Sequence, residues 1–496
     1  MRMQGKKIGY LIGGAILATS YLAQAETLQP DPAWQQGKLE NGFSWQALQT
    51  PQRPNDRIQL RLIVKTGSLA EKTQQQGYTY LIPKVVLFSS KDLSSQKLEN
   101  LWRNAIDSKN PLPPAIVSYD FTLYSLSLPN NRPDLLKDAL VWLSDIAGGA
   151  VFTPETLAQA MKATDHSVAT LPADIRDPVW RMRLQGSTLL DHDPGASVSV
   201  PVDVKKVEAF YRQWYTPDAM TLYVAGHVDS RVLSERINQA FSPLKGKRQT
   251  PVAVATLLPL KSETLGVVSD KAQQDRLSLV WNLNWQPIND SQTLLQYWLN
   301  DLAREALYRY LQLGREEEQA DMKLDLDCRI LYQRANCFLN MDTSSDKLTE
   351  STLYLASELA SLRENGLPQE QFDELYAQKR LQLQQLFAVY ARTNTDLLIN
   401  QRLISQQNNV IDIAPEQFQR LRQTFLSSLT PQLLNKKLKE MLSQDISFIL
   451  VQPKDETAVN VNQLRNGFNQ IMRPGPVPEA PAVDTKQAAD IKKGAE

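Results

Sequence analysis

The second half of this chain repeats the order of the first, and that repetition limits the fold more than any other feature of its 496 residues. "QDRLSLVW" (Gln274 to Trp281) echoes "NDRIQLRL" (Asn55 to Leu62), with Arg276 standing 219 positions after Arg57. "LPQEQFDELYAQKRL" echoes "FTPETLAQAMKAT", with Pro368 standing 214 positions after Pro154. "FQRLRQTFLSSLTPQ" followed by "ISFILVQP" echoes "VEAFYRQWYTPD" followed by "TLYVAGHV". The alternative is chance likeness between amphipathic helices; against it stands the common order of three echoes. Two copies of one unit of about 200 residues follow, within the size range of single domains. Each copy mixes strands that alternate with period two and helices with apolar residues three to four apart, which gives an α+β class. The expected units are 34–248 and 263–455, joined by a linker at 249–262. The last stretch, 473–496, is rich in Pro, Ala and charge without an apolar period and reads as a disordered tail.

The N-terminus carries Arg2, Lys6 and Lys7, then an apolar run from Ile8 to Leu22, then Ala23-Gln24-Ala25 before Glu26. This pattern predicts a signal peptide over 1–25 and a periplasmic protein with no integral membrane segment after cleavage. An uncleaved anchor is the alternative, but the run is shorter than the roughly 20 residues of a spanning helix. Lys plus Arg and Asp plus Glu both number 54, so no basic excess points to nucleic acid.

Cys328 and Cys337 flank "CRILYQRANC", with apolar alternation on both sides. Folding the hairpin between Tyr332 and Gln333 sets the two thiols opposite one another. In an oxidising compartment that arrangement predicts a cross-strand disulfide. A metal site is the alternative and wants more ligands nearby.

Three His are present, His166, His192 and His227, and none forms a His-x-x-x-His pair. "LLDHDPG" groups Asp191, His192 and Asp193, which reads first as a solvated loop. No Gly-x-Ser-x-Gly, phosphate loop or dinucleotide fingerprint occurs.

"LENG", then "IQLRLIVKTGSLAEKTQQQGYTYLIPKVVLF", then "SYDFTLYSLSL", then "FYRQWYTPDAMTLYVAGHVD" resembles the first domain of the pitrilysin/insulinase family of zinc metallopeptidases. The likeness runs from about Leu39 to about Leu244, and the second half fits the family's degenerate second domain. The resemblance implies two homologous domains, each a mixed sheet with helices on one face, closing as a clamp around a cavity. It also implies a helix bearing His-x-x-Glu-His. In such a motif two imidazoles four apart hold zinc, and the Glu takes a proton from metal-bound water.

In this chain the first His position falls at Tyr80, the Glu at Pro83 and the second His at Lys84. The acidic positions on the partner helix fall at about Ala160 and Ser167, and a shift of one residue would reach His166. None of these makes a zinc set, so no cofactor is expected. The resemblance further places peptide addition at Ser118, Tyr119, Asp120, Phe121 and Thr122, read as an edge strand. Arg309 and Tyr310 are weaker candidates for substrate contact. The expected function is a catalytically inactive homologue that binds a peptide, an unfolded segment or a related peptidase subunit. The alternatives are an active zinc endopeptidase with a non-standard site, one subunit of a heteromeric peptidase, and a plain scaffold.

Overall fold

The computed structural model describes residues 26–473, apart from 52–56, 88–89, 108, 110, 131, 163–166, 173–176, 252, 262, 284 and 315–320. Residues 1–25, expected as a signal peptide, His166 and the residues beyond Arg473 lie outside the described residues.

Two sheets organise the chain. The first contains β1 (Trp34–Lys38), β2 (Ser44–Gln49), β3 (Arg57–Val64), β4 (Ala115–Val117), β5 (Thr122–Pro129), β6 (Val168–Thr170) and β7 (Met220–Gly226), in the order β1-β2-β7-β3-β5-β4-β6. The second contains β8 (Thr264–Ser269), β9 (Asp275–Leu283), β10 (Lys323–Leu331), β11 (Arg334–Thr343) and β12 (Ser447–Pro453), in the order β10-β11-β9-β12-β8.

The duplication is plain in the pairing. β2 runs parallel to β7, and β7, β3, β5 and β4 then pair antiparallel in turn. β8 runs parallel to β12, and β12, β9, β11 and β10 pair antiparallel in turn. Five strands thus recur in one arrangement, and the first sheet adds β1 at one edge and β6 at the other. Every residue of β7 is buried, as a central strand covered on both faces requires.

Helices pack one face of each sheet. Tyr78–Val86, Pro133–Gly148, Val204–Trp214 and Ser230–Phe241 bury Ile82, Trp142, Phe210 and Phe241 against the first. Ser291–Leu313, Leu348–Asn365, Pro431–Leu442 and Val461–Met472 do the same for the second. The opposite faces are covered by exchange. Helix Thr395–Gln407, from the second half, lays Leu398, Ile399 and Leu403 on Ile63, Phe121 and Tyr223 of the first half. Helix Pro178–Leu184, from the first half, lays Met182 on Val280 and Ile449 of the second.

The β10–β11 hairpin turns at Tyr332 (φ 48°) and Gln333 (φ 61°), a two-residue turn with both φ positive. Cys328 faces Cys337, with Cα atoms 4.1 Å apart, and the two form a disulfide. Neither turn residue is glycine, so the conformation is held from outside. The Tyr332 hydroxyl lies 2.8 Å from Ser118 Oγ and donates to the Leu171 carbonyl at 3.1 Å, both in the first half.

Candidate functional site

The helix that opens at Gly77 begins without delay. Gly77 has φ 89°, and a Cβ there would stand 2.7 Å from the Val198 backbone N, so glycine is required on two counts. Tyr78–Val86 then runs through Pro83. Proline cannot donate to the Thr79 carbonyl, yet Leu87 N–H still bonds to Pro83 O at 3.0 Å and the helix continues.

Its N-terminus is held by Glu71, which sequence reasoning did not single out. The Glu71 carboxylate accepts from Gly77 N–H at 3.0 Å and from the Thr79 N–H and hydroxyl at 2.6 Å each. Burial raises its pKa to about 7; the bonds from Thr79 and Gly77 oppose that shift, and Asp193 adds to it. The only local signal is an acid six positions before a helix-opening glycine.

Tyr80 and Lys84 lie one turn apart on the half-buried side of this helix. The Lys84 ammonium stands 4.8 Å from the centre of the Tyr80 ring, a cation–π pair. The Tyr80 hydroxyl donates to the Val168 carbonyl at 3.4 Å, beside Ser167. Pro83 is buried, as is Ala160 on the neighbouring helix Pro154–Lys162. The structure therefore brings Tyr80, Lys84 and Ser167 to one place and turns Pro83 into the core.

The segment expected as an edge strand is not one. Ser118 to Phe121 form the turn between β4 and β5, and Thr122 opens β5. Their backbone is engaged internally: Ser68 and Leu69 donate to the Ser118 and Tyr119 carbonyls at 3.1 and 2.8 Å. The true strand, β4, is flanked by β6 in parallel, and Leu171 N–H extends that pairing to Val117 O at 2.8 Å. Tyr119 is buried under Tyr332 and Trp180, and its hydroxyl accepts from Trp180 Nε1 at 3.1 Å. That burial pushes the Tyr119 pKa up to about 12.

The other sequence candidates are dispersed. His192 Nδ1 lies 2.9 Å from the Ser68 carbonyl, while Ser68 Oγ donates to the His192 carbonyl at 3.0 Å, so the "DHD" loop is docked, not solvated. His227 lies 3.3 Å from the Thr50 carbonyl. Arg309 pairs with Glu374 and donates to Gln378 at 3.1 Å, all within the second half.

A cleft of about 610 Å³ opens where the two halves meet. Ile63, Phe121 and Tyr223 form its floor, with Gln406, Gln407 and Val254 of the second half and the linker along one side. Lys38 and Lys65 stand at its rim; Asp120 is the single acid among the described residues of its lining. Burial raises the Asp120 pKa, while the Ala255 N–H bonded to its carboxylate acts against that shift.

Comparison with known proteins decides the family. A family model described as "Insulinase (Peptidase family M16)" matches residues 48–192, and one described as "Peptidase M16 inactive domain" matches 201–379. A solved structure described as a predicted insulinase family protease from Yersinia pestis is 56% identical, with TM-score 0.89 over 93% of this chain and 100% of that one. The chain belongs to the insulinase (M16) peptidase family. Protein YhjJ of Escherichia coli K12 is 51% identical over 97% of both chains. The periplasmic protease PqqL from Escherichia coli shares the fold at 19% identity and TM-score 0.77, over 91% of this chain but 51% of its own.

Zinc, which the M16 family implies, does not fit the described residues at the expected positions. A zinc site needs three or four convergent donors at about 2.0–2.3 Å. Here a phenol committed to a carbonyl, a ring-stacked ammonium and a buried proline hold the helix positions. Among the described residues no group of three or more His, Cys, Asp or Glu is placed to hold a metal ion. None of the described helices is long and apolar enough to cross a membrane.

Proposed function

We propose that this chain is a non-catalytic M16 homologue, exported to the periplasm after removal of residues 1–25, that binds peptides or unfolded segments in the cleft between its halves. The observation that carries the reading is that Tyr80, Pro83, Lys84 and Ser167 stand at the expected ligand and base positions, with the Lys84 ammonium over the Tyr80 ring and the Tyr80 hydroxyl bonded to Val168 of β6. Lys84, when charged, opposes a dication where the metal would stand. A two-sheet frame with an inter-half cleft survives that loss. The units we assign are 34–248 and 263 onward with 249–262 as linker. The second runs past 455, because helix Val461–Met472 packs on its sheet.

The test combines metal analysis with binding of reduced, carboxymethylated casein. The purified protein is expected to bind the unfolded casein, carry no stoichiometric zinc and cleave nothing. One zinc per chain, with cleavage lost on chelation, overturns the non-catalytic reading; absence of casein binding overturns the peptide-binding one. Replacing Tyr80→His, Pro83→Glu, Lys84→His and Ser167→Glu together should create zinc affinity if the frame is retained.

A second reading is favoured by one observation: this chain matches about half the length of PqqL. On that reading a related subunit supplies the other half, and co-purification of such a subunit would support it.

A further inference from the structure

The two edges of the first sheet are finished differently. At one lies β6, paired with β4 and only three residues long, which leaves little length for a further strand. At the other lies β1, paired with β2 on one side and, among the described residues, with no strand on the other. Leu39 N–H donates to Phe43 O at 2.8 Å and closes the β1–β2 hairpin. Antiparallel alternation then turns the backbone groups of Gln35 and Gly37 toward β2 and those of Gln36 and Lys38 outward.

Both faces of this edge are concave. On one is the cleft already described, which Gln36 and Lys38 border and Ile63, Phe121 and Tyr223 floor. On the other is a hollow of about 710 Å³ between Gln35, Trp45 and the residues Arg231, Ser234 and Glu235 of helix Ser230–Phe241. Gly37 separates them. A Cβ there would stand 2.5 Å from the Trp45 ring, so the indole lies against bare backbone. A strand added to β1 would send successive side chains alternately into the two hollows.

We propose that β1 is a docking strand to which an extended peptide adds along its free edge. The apolar or aromatic side chains of the peptide enter the aromatic-floored cleft, and its acidic residues face Lys38 and Lys65. Charge selects this occupant: among the described residues the lining offers two ammonium groups against one carboxylate, one oxygen of which accepts from the Ala255 N–H. The inference rests on the peptide-binding reading above and places the peptide at the edge opposite to the one the family resemblance indicates.

The probe is a fluorescein-labelled hexapeptide alternating phenylalanine and glutamate, titrated by anisotropy at low salt against the full-length mature protein. Gln36→Pro removes an outward N–H without breaking the ladder to β2, a tolerated place for proline. It should weaken binding by about tenfold or more, the scale of one lost backbone bond plus the steric block of the ring. Gln36→Ala should bind as the unaltered protein does. Lys38→Glu should weaken the glutamate probe and strengthen its lysine counterpart, a readout that holds even if Gln36→Pro fails to fold. Equal binding by Gln36→Pro and the unaltered protein, or no effect of Lys38→Glu, overturns the docking strand and leaves casein binding to stand. Failure of the unaltered protein to bind the probe overturns it too, with the wider reading judged by casein. Dimerisation abolished by Gln36→Pro would instead assign the edge to a second copy of this chain.

Discussion

Arg61 in β3 and Val280 in β9 stand 219 residues apart, at the same place in the repeated pattern. Arg61 lies across from Ser125 and Tyr223, and Val280 across from Phe338 and Ser447. Both are buried, and both face a helix lent by the other half. Arg61 meets a charge: its guanidinium donates to Asp396 at 2.7 Å and to Gln59 at 3.2 Å. Burial lowers the Arg61 pKa to about 10, with Asp396 opposing the shift. Val280 meets Met182 instead. One seam is therefore directional and intolerant of an unpaired partner; the other is apolar and forgiving of shape. Fold alone does not dictate the chemistry of the seam, because one strand arrangement accepts either.

The largest effect should come from stranding the buried charge. Asp396→Ala should cost about 4 kcal/mol, because Arg61 stays buried without its counter-ion. Urea unfolding measures it, and a loss under about 1 kcal/mol would mean that water reaches Arg61 readily.

Next comes a contrast between the helices that follow β3 and β9. Asp290 caps helix Ser291–Leu313 directly, accepting from Thr293 N–H at 2.8 Å. Glu71, 219 positions earlier, caps its helix from within the core. Its folded pKa of about 7 lies above the ordinary 4.5, so the folded state holds that proton better than the unfolded chain does. The cost is absent below pH 4.5, grows as pH rises, and is complete above about 7. Glu71→Gln should therefore gain about 3 kcal/mol relative to the unaltered protein between those limits. A difference that stays flat with pH would show that Glu71 ionises freely.

Met182→Ala should cost about 2 kcal/mol, at the low end for a buried Met because the seam can close over the gap. A loss above that of Asp396→Ala would reverse the comparison. The smallest effect belongs to the joint replacement Arg61→Met with Asp396→Leu, expected within about 1 kcal/mol of the unaltered protein. A large loss there would show that the ion pair contributes net stability rather than a fixed fit.

The alternation in "RIQLRLIV" and "DRLSLVW" made β3 and β9 legible, and the repeated order made the two mixed sheets legible. The hairpin turn at Tyr332 and Gln333 follows from the same alternation around the two cysteines. The burial of Gln59 and Arg61 was not legible, because polar residues on alternate positions of a strand carry no local sign of a cover. Both are buried by a helix that arrives from the far end of the chain, and no local pattern can report such a cover. "SYDF" did mislead. Its residues look like a continuation of "TLYSLSL", but they turn, and the short β6 that flanks β4 carries no period of its own.

The exchange of helices also sets a clock. Helix Pro178–Leu184 is made long before the sheet it covers, so the second half finds its cover waiting. Asp396 follows Arg61 by 335 residues. At about 5–20 residues per second of synthesis, the exposed face of the first sheet waits roughly 20–70 s for its own. During that interval Ile63, Phe121 and Tyr223 form a bare apolar surface around an unpaired guanidinium. A nascent chain stalled before Thr395 is thus the species most in need of a chaperone, and the first half is where quality control must act.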